Sequence, residues 1–169
     1  GIQGVRTVSG DACELDEVLT SFDAMLGEPV KFDTVFIDAP CSGTGTMRRH
    51  PEIPWRLTEK DVTVELPKLQ LTMLKEAAER VAAGGELIYA TCSVFDEENT
   101  QVVDAFLNSP EGAGFSVAPL SEAQILQLPD FAQAKKLVSV RQNDRGLFQS
   151  VPVNADSYDG HFCARLVHK

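Results

Sequence analysis

Phe32-Asp33-Thr34-Val35-Phe36-Ile37-Asp38-Ala39-Pro40-Cys41 is the stretch on which the fold turns. A short apolar run that ends on an acid and then on Ala39-Pro40 reads as a strand buried on both faces, as at the centre of a parallel sheet. The residues that follow, 41–60, hold Gly43, Gly45, Pro51 and Pro54 and read as a loop. That loop is longer than a passive connection needs, which favours a working role. Leu66, Leu69, Met73, Leu74, Ala77 and Val81 then recur at helical spacing, with Pro67 suited to the first turn and Gly84-Gly85 as the stop. Glu86-Leu87-Ile88-Tyr89-Ala90-Thr91 is a second buried strand, ending at Cys92-Ser93. Asp96-Glu97-Glu98 opens another helix, with acids at the positive end of its dipole and an apolar stripe of Val102, Val103, Phe106 and Leu107.

Strand, helix, strand, helix is the pattern of an open α/β sheet with a right-handed crossover. Neighbouring strands in such a sheet lie about 4.8 Å apart. Asp38, Cys41 and Cys92 are therefore expected side by side at the carboxyl rim, where these sheets bind ligands. Upstream, residues 5–9 read as a short strand and 15–26 as a helix on Leu15, Val18, Leu19, Phe22 and Leu26. Downstream, 115–117 and 161–167 read as a closing pair of strands. Between them, 137–141 and 147–151 flank 142–146 as a hairpin. Residues 1–169 thus read as one domain, with 121–151 as a loop and hairpin insertion.

The apolar share of 43% and charged share of 24% are those of a globular protein. No apolar run approaches the roughly 18 residues that cross a bilayer, and the first residues carry no leader pattern. Cys13, Cys41, Cys92 and Cys163 are too few and too scattered for a disulfide framework, so a reduced, cytoplasmic setting is expected. His50, His161 and His168 lack metal-ligand spacing with the cysteines, and no metal site is expected. The formal net charge is −10, with acids outnumbering bases most strongly over residues 1–40. A nucleic-acid binder normally shows a basic face, and here only Arg48-Arg49-His50 with Arg56 forms a basic cluster. Composition alone argues against RNA; if RNA is the substrate, most phosphate contacts lie outside this stretch.

Asp38-Ala39-Pro40-Cys41-Ser42-Gly43-Thr44-Gly45 and Ala90-Thr91-Cys92-Ser93 resemble the two cysteine motifs of the Sun-type RNA cytosine-5 methyltransferases. The similarity continues through Arg48-Arg49-His50-Pro51, Leu69-Gln70, Val94 and Glu97-Glu98-Asn99. It ends on Asp159-Gly160-His161-Phe162, where His161 stands in place of the usual aromatic. It covers most of the chain from about residue 5 and is weakest over 111–150. Within the family it is most similar to bacterial methyltransferases of small-subunit ribosomal RNA.

The resemblance implies a Rossmann-like class I sheet with an antiparallel closing strand, S-adenosylmethionine (SAM) as cofactor and ribosomal RNA as partner. It also implies roles. Carbon 5 of cytosine is too weak a nucleophile to take a methyl group until a thiolate has added at carbon 6, and a covalent route splits the reaction into two easier steps. By the resemblance Cys92 is that nucleophile, Cys41 helps to eliminate the product, and Asp38 hydrogen-bonds ring nitrogen 3 and lies near the cofactor. Asp11, in Gly10-Asp11-Ala12, falls where the family contacts the adenine, while Arg48 and Arg49 are candidates for RNA contact or structural anchoring. Simpler roles stand beside these: a core position for Cys13 and Cys163, a turn acid for Asp11, a cap on the Gly43 and Thr44 amides for Asp38.

The family's first two strands, its Gly-rich loop and its preceding RNA-binding parts do not occur in these residues. The sheet is thus expected to be partial, with strand 33–38 pairing either with 5–9 or with a second copy of the chain. Three other readings compete: an inert fragment or binding module of the same fold, a redox protein using Cys41 and Cys92, and a DNA cytosine methyltransferase. The absence of Cys-x-x-Cys spacing opposes the second, and the Thr91-Cys92-Ser93 motif opposes the third.

Overall fold

The computed structural model describes residues 4–121, 124, 142–152 and 158–169. Its first element is helix α1 (Leu15–Leu26), which ends on Gly27 in the left-handed conformation. Strand β1 (Phe32–Asp38) follows, and then a loop with the short helix α2 (Ile53–Arg56). Thr58 and Asp61 cap the next helix reciprocally: the Asp61 carboxylate accepts from the Thr58 amide at 2.8 Å, and the Thr58 hydroxyl accepts from the Asp61 amide at 3.2 Å. One wide turn over Asp61–Glu65 leads into α3 (Leu66–Ala78), so the helical path starts before Pro67.

The expected end of that helix is corrected. α3 stops at Ala78 and strand β2 (Val81–Thr91) begins before the glycines, which lie inside it. Val81 is a strand residue paired with Phe32, and not the last of a helical stripe. Arg80 explains the early exit. Its side chain is buried and paired with Asp23 at 2.9 Å and with Asp16, both on α1, while its carbonyl accepts from the Phe32 amide at 2.8 Å. Gly84, at φ +76, then absorbs the register shift between Phe32 and Thr34.

Asp96–Glu98 forms a single 3-10 turn ahead of α4 (Thr100–Leu107), whose inner face carries Val102, Val103 and Phe106. Strands β3 (Phe115–Val117), β4 (Phe148–Ser150) and β5 (His161–His168) complete one sheet in the order β1-β2-β5-β3, with β4 also on β5. β1 and β2 are parallel, as expected, and β5 runs antiparallel to β2, β3 and β4. Leu87 and Tyr89 of β2 and Phe162, Ala164 and Leu166 of β5 alternate onto one face. There they meet Leu74 and Ala77 of α3 and Val103 and Phe106 of α4. Of the expected hairpin, 147–151 contributes β4 and Gln142 bridges to Phe148, while 137–141 lies outside the described residues.

Two expectations about β1 fail. It is not buried on both faces: only Ile37 is fully buried, and Phe36 is 61% exposed. Residues 5–9 form no strand and do not pair with it; Val5 and Val8 are 65% and 50% exposed. Residues 5–9 take no extended ladder conformation, so they offer β1 no partner. The outer edge of β1 is open among the described residues.

Candidate active site

Strand pairing carries the two cysteine motifs to one place. The β1–β2 register runs to Asp38 opposite Ala90, and the Ala39 amide donates to the Ala90 carbonyl at 2.9 Å. β1 ends at Asp38 and β2 at Thr91. Cys41 and Cys92 lie with their sulfurs 3.1 Å apart, and the Cys92 amide donates to the Cys41 sulfur at 3.3 Å. Each is partly exposed, so a ligand can reach both.

The loop after Cys41 is held by backbone as well as side chains. The Gly45 amide donates to the Cys92 carbonyl and the Gly160 amide to the Gly45 carbonyl, both at 2.8 Å. A Cβ on Gly45 would stand 2.0 Å from the Gly160 carbonyl oxygen, so only glycine allows this approach. Ser42, Thr44 and Ser93 join their hydroxyls beneath the thiols, and Thr44 accepts from the Val94 amide at 3.2 Å. Asn99 takes the Thr91 hydroxyl at 2.6 Å and donates to the Ser93 carbonyl at 3.0 Å.

Burial, with the hydrogen shared with Cys92 as second cause, pushes Cys41 up to about 12. At neutral pH it keeps its proton, whereas a nucleophilic cysteine must be a thiolate. Burial also raises Cys163, and raises Cys13 with help from Asp11.

Asp38 is exposed at the end of β1, and its side chain holds neither the Gly43 nor the Thr44 amide among the described residues. Asp11 makes a local turn, its carboxylate accepting from the Cys13 amide at 2.8 Å. The adjacent Ala12 lines a cavity of about 270 Å³ with Leu15, Val35, Ile37 and Asp38. The structure therefore brings the Asp11 turn and Asp38 to one hollow beside the open edge.

Arg48 and Arg49 both pair with Asp159, at 3.3 and 2.6 Å, and tie the loop to the start of β5. The Arg49 hydrogen bond is the main reason that the Asp159 carboxyl lies below the ordinary range. Both arginines remain about half exposed. No group of three His, Cys, Asp or Glu side chains among the described residues could hold a metal ion. No described helix is long and apolar enough to cross a membrane.

Sequence reading missed one residue of consequence. Glu98 reads as a helix-opening acid, but it is fully buried under both cysteine loops. No periodicity signals this, because the residue lies in a single irregular turn. Trp55, 89% exposed on α2, was also passed over.

The family model described as 16S rRNA methyltransferase RsmB/F matches residues 1–167. The chain belongs to this family. Ribosomal RNA small subunit methyltransferase B of Citrobacter koseri is 51% identical over 140 residues, which are 82% of this chain and 27% of that protein. Its counterpart in Salmonella arizonae is 46% identical over 86 residues, 51% of this chain and 20% of that protein. The chain thus spans about a quarter of the Citrobacter koseri protein's length. Among solved structures, PH0851 superposes with a TM-score of 0.72 at 32% identity, covering 98% of this chain and 31% of that one. NSun6 from Pyrococcus horikoshii, solved with SFG, gives 0.68 at 22% identity over 99% of this chain and 35% of its own, and shows the likeness of fold. An RsmB/F domain agrees with the Sun-type motifs read from the sequence and with the partial Rossmann-like sheet.

Proposed function

We propose that this RsmB/F domain carries the reacting cysteines of a SAM-dependent enzyme that methylates carbon 5 of cytosine in ribosomal RNA. The observation that carries the proposal is the pair of thiols 3.1 Å apart, on loops leaving adjacent parallel strands. SAM would supply an electrophilic methyl group. The residues present fit one side of it: the hollow beside β1 is walled by Leu15, Val35 and Ile37 and carries the Asp38 carboxylate, with Asp11 next to its rim. Asp11 and Asp38 would hold the cofactor there.

Cys92 as thiolate bonds to carbon 6 of the base, and the displaced electron pair moves toward ring nitrogen 3, where Asp38 donates or shares a proton. Carbon 5, now enamine-like, takes up the methyl group. Loss of its proton to a base returns the pair to the ring and expels Cys92; Cys41 assists this step from beside the sulfur. Arg48 and Arg49, about half exposed and anchored on Asp159, would meet phosphate. Trp55 offers a face on which a base can stack. At the open edge of β1 a second copy would add a strand, and light scattering on the purified protein would detect the dimer by its molar mass.

Adduct trapping tests the reaction. With SAM and ribosomal RNA carrying 5-fluorocytidine, the wild type should give a protein–RNA species that survives denaturing electrophoresis. Cys92→Ala should give none, and Cys41→Ala should accumulate the species even on ordinary cytidine. An adduct that persists in Cys92→Ala, or maps to Cys41, would refute the assignment.

A further inference from the structure

Glu98 is a carboxylate with 0% exposure, held without a positively charged partner in its hydrogen-bond set. Burying a carboxyl group is costly unless its oxygens are hydrogen-bonded. Its donors come from three segments, two of them distant in sequence. Oε1 accepts from the Ser42 amide at 2.8 Å and from the Gln70 side-chain amide at 3.1 Å. Oε2 accepts from the Ser93 hydroxyl, which in turn accepts from the Ser42 hydroxyl at 3.1 Å. Ser42 follows Cys41 and Ser93 follows Cys92, so one side chain grips the residue after each thiol. Gln70 adds a third hold by donating to the carbonyl of Pro40, the residue before Cys41, at 3.0 Å. The clamp is itself fixed, because the buried Tyr89 hydroxyl donates to the Glu98 carbonyl at 2.6 Å.

We infer that Glu98 is a positioning residue whose carboxylate, bridging Ser42 and Ser93, sets the separation of Cys41 and Cys92 for the reaction proposed above. The inference rests on that reading for its catalytic part; the clamp itself is geometric. Strand register fixes where the two backbones leave the sheet, but the sulfurs stand three residues beyond Asp38 on one side and one beyond Thr91 on the other. Without a link between the loops those positions are free to drift. A shift of about 1 Å in reacting groups can cost on the order of a hundredfold in rate.

Glu98→Gln is the informative variant, since it keeps volume and one acceptor oxygen. Its amide must place the NH2 group toward Ser42 and Gln70 or toward Ser93, so one loop loses its acceptor. Two readouts are taken with a thermal melt. The first needs neither RNA nor cofactor: diamide oxidises the dithiol, the two thiol hydrogens passing to diamide as it becomes the hydrazine, and mass spectrometry follows the Cys41–Cys92 disulfide. The second is methylation of ribosomal RNA, as kcat and KM, beside adduct formation on 5-fluorocytidine RNA. Glu98→Gln should slow disulfide formation and lower kcat by roughly ten- to a hundredfold with KM unchanged. Ser93→Ala, which removes one arm of the bridge, should move both in the same direction by less, and serves if Glu98→Gln does not fold. Folded Glu98→Gln and Ser93→Ala that match the wild type within about twofold in both readouts would overturn the inference. A loss that merely tracks the unfolded fraction would do the same. Wild-type protein that oxidises its thiols yet never forms the adduct would instead overturn the proposed reaction, leaving disulfide rates to judge the clamp.

Discussion

Gly45→Ala should loosen the site from its backbone. A Cβ at residue 45 would lie 2.0 Å from the Gly160 carbonyl oxygen, 2.6 Å from its carbon and 2.7 Å from its Cα. All three are main-chain atoms, so no rotamer change relieves the contact. Ordinary packing needs about 3.5 Å, and the two segments must part by more than 1 Å in order of magnitude. That movement breaks the Gly160-to-Gly45 and Gly45-to-Cys92 hydrogen bonds, both 2.8 Å long. At about 1 kcal/mol each, and more where a buried group stays unpaired, the cost is roughly 2–4 kcal/mol. For a domain of this size each kcal/mol lowers Tm by about 2–4 °C, so the melt should fall by roughly 4–16 °C. Gly27→Ala is the control: Gly27 has φ +78 but nothing within 4 Å of an added Cβ, so it should cost only about 1 kcal/mol. Calorimetry or circular dichroism on the purified protein reads both. A Gly45→Ala melt no lower than that of Gly27→Ala would refute the close approach, and with it the account of how the loop is held.

Other consequences are open to simple measurement. Tyr89→Phe leaves the buried Glu98 carbonyl without its donor and should cost about 1–2 kcal/mol in a urea titration; no change in midpoint would show that bond to be idle. Arg49 and Arg48 hold the Asp159 carboxyl below its unfolded value, so the stabilisation is full above roughly pH 4 and is lost as pH falls through the lower folded value. Melts between pH 5 and pH 2.5 should therefore drop more steeply for the wild type than for Asp159→Asn, and parallel curves would refute the tether. With Cys41 pushed up to about 12, its alkylation by iodoacetamide should climb about tenfold per pH unit beyond pH 9; a plateau near 9 would mean an ordinary thiol.

The two motif strands and the rim they share were legible because their evidence is local. Phe32–Asp38 and Glu86-Leu87-Ile88-Tyr89-Ala90-Thr91 are short apolar runs, each ending in a polar motif, and parallel neighbours joined by one helix must deliver those ends together. The end of α3 was not legible. Val81 continues a helical spacing, and what ends the helix is the Arg80 pairing with Asp16 and Asp23, more than fifty residues upstream in sequence. The burial of β1 was misread for a related reason: the pattern reports a strand suited to two neighbours, and the described residues supply it with one.

Glu98 shows where pattern reading stops. Periodicity reports which face of a regular element is apolar, and Glu98 belongs to a 3-10 turn with no face to report. Its burial depends on the local donor Ser93 and on donors at residues 42 and 70, which come within reach only after the sheet and α3 have assembled. The cysteines identify themselves through motif residues, but the spacing between their sulfurs is a tertiary property. Register brings the loops to within a few ångströms, and the remaining precision must come from contacts between the loops. Gly45 supplies one such contact through the backbone, and Glu98 supplies another through a side chain. Gly45 ends the first cysteine motif and Glu98 stands five residues beyond the second, and neither hydrogen-bonds a sulfur among the described residues. Substitutions at these two positions should therefore separate how the thiols are brought together from what the thiols do.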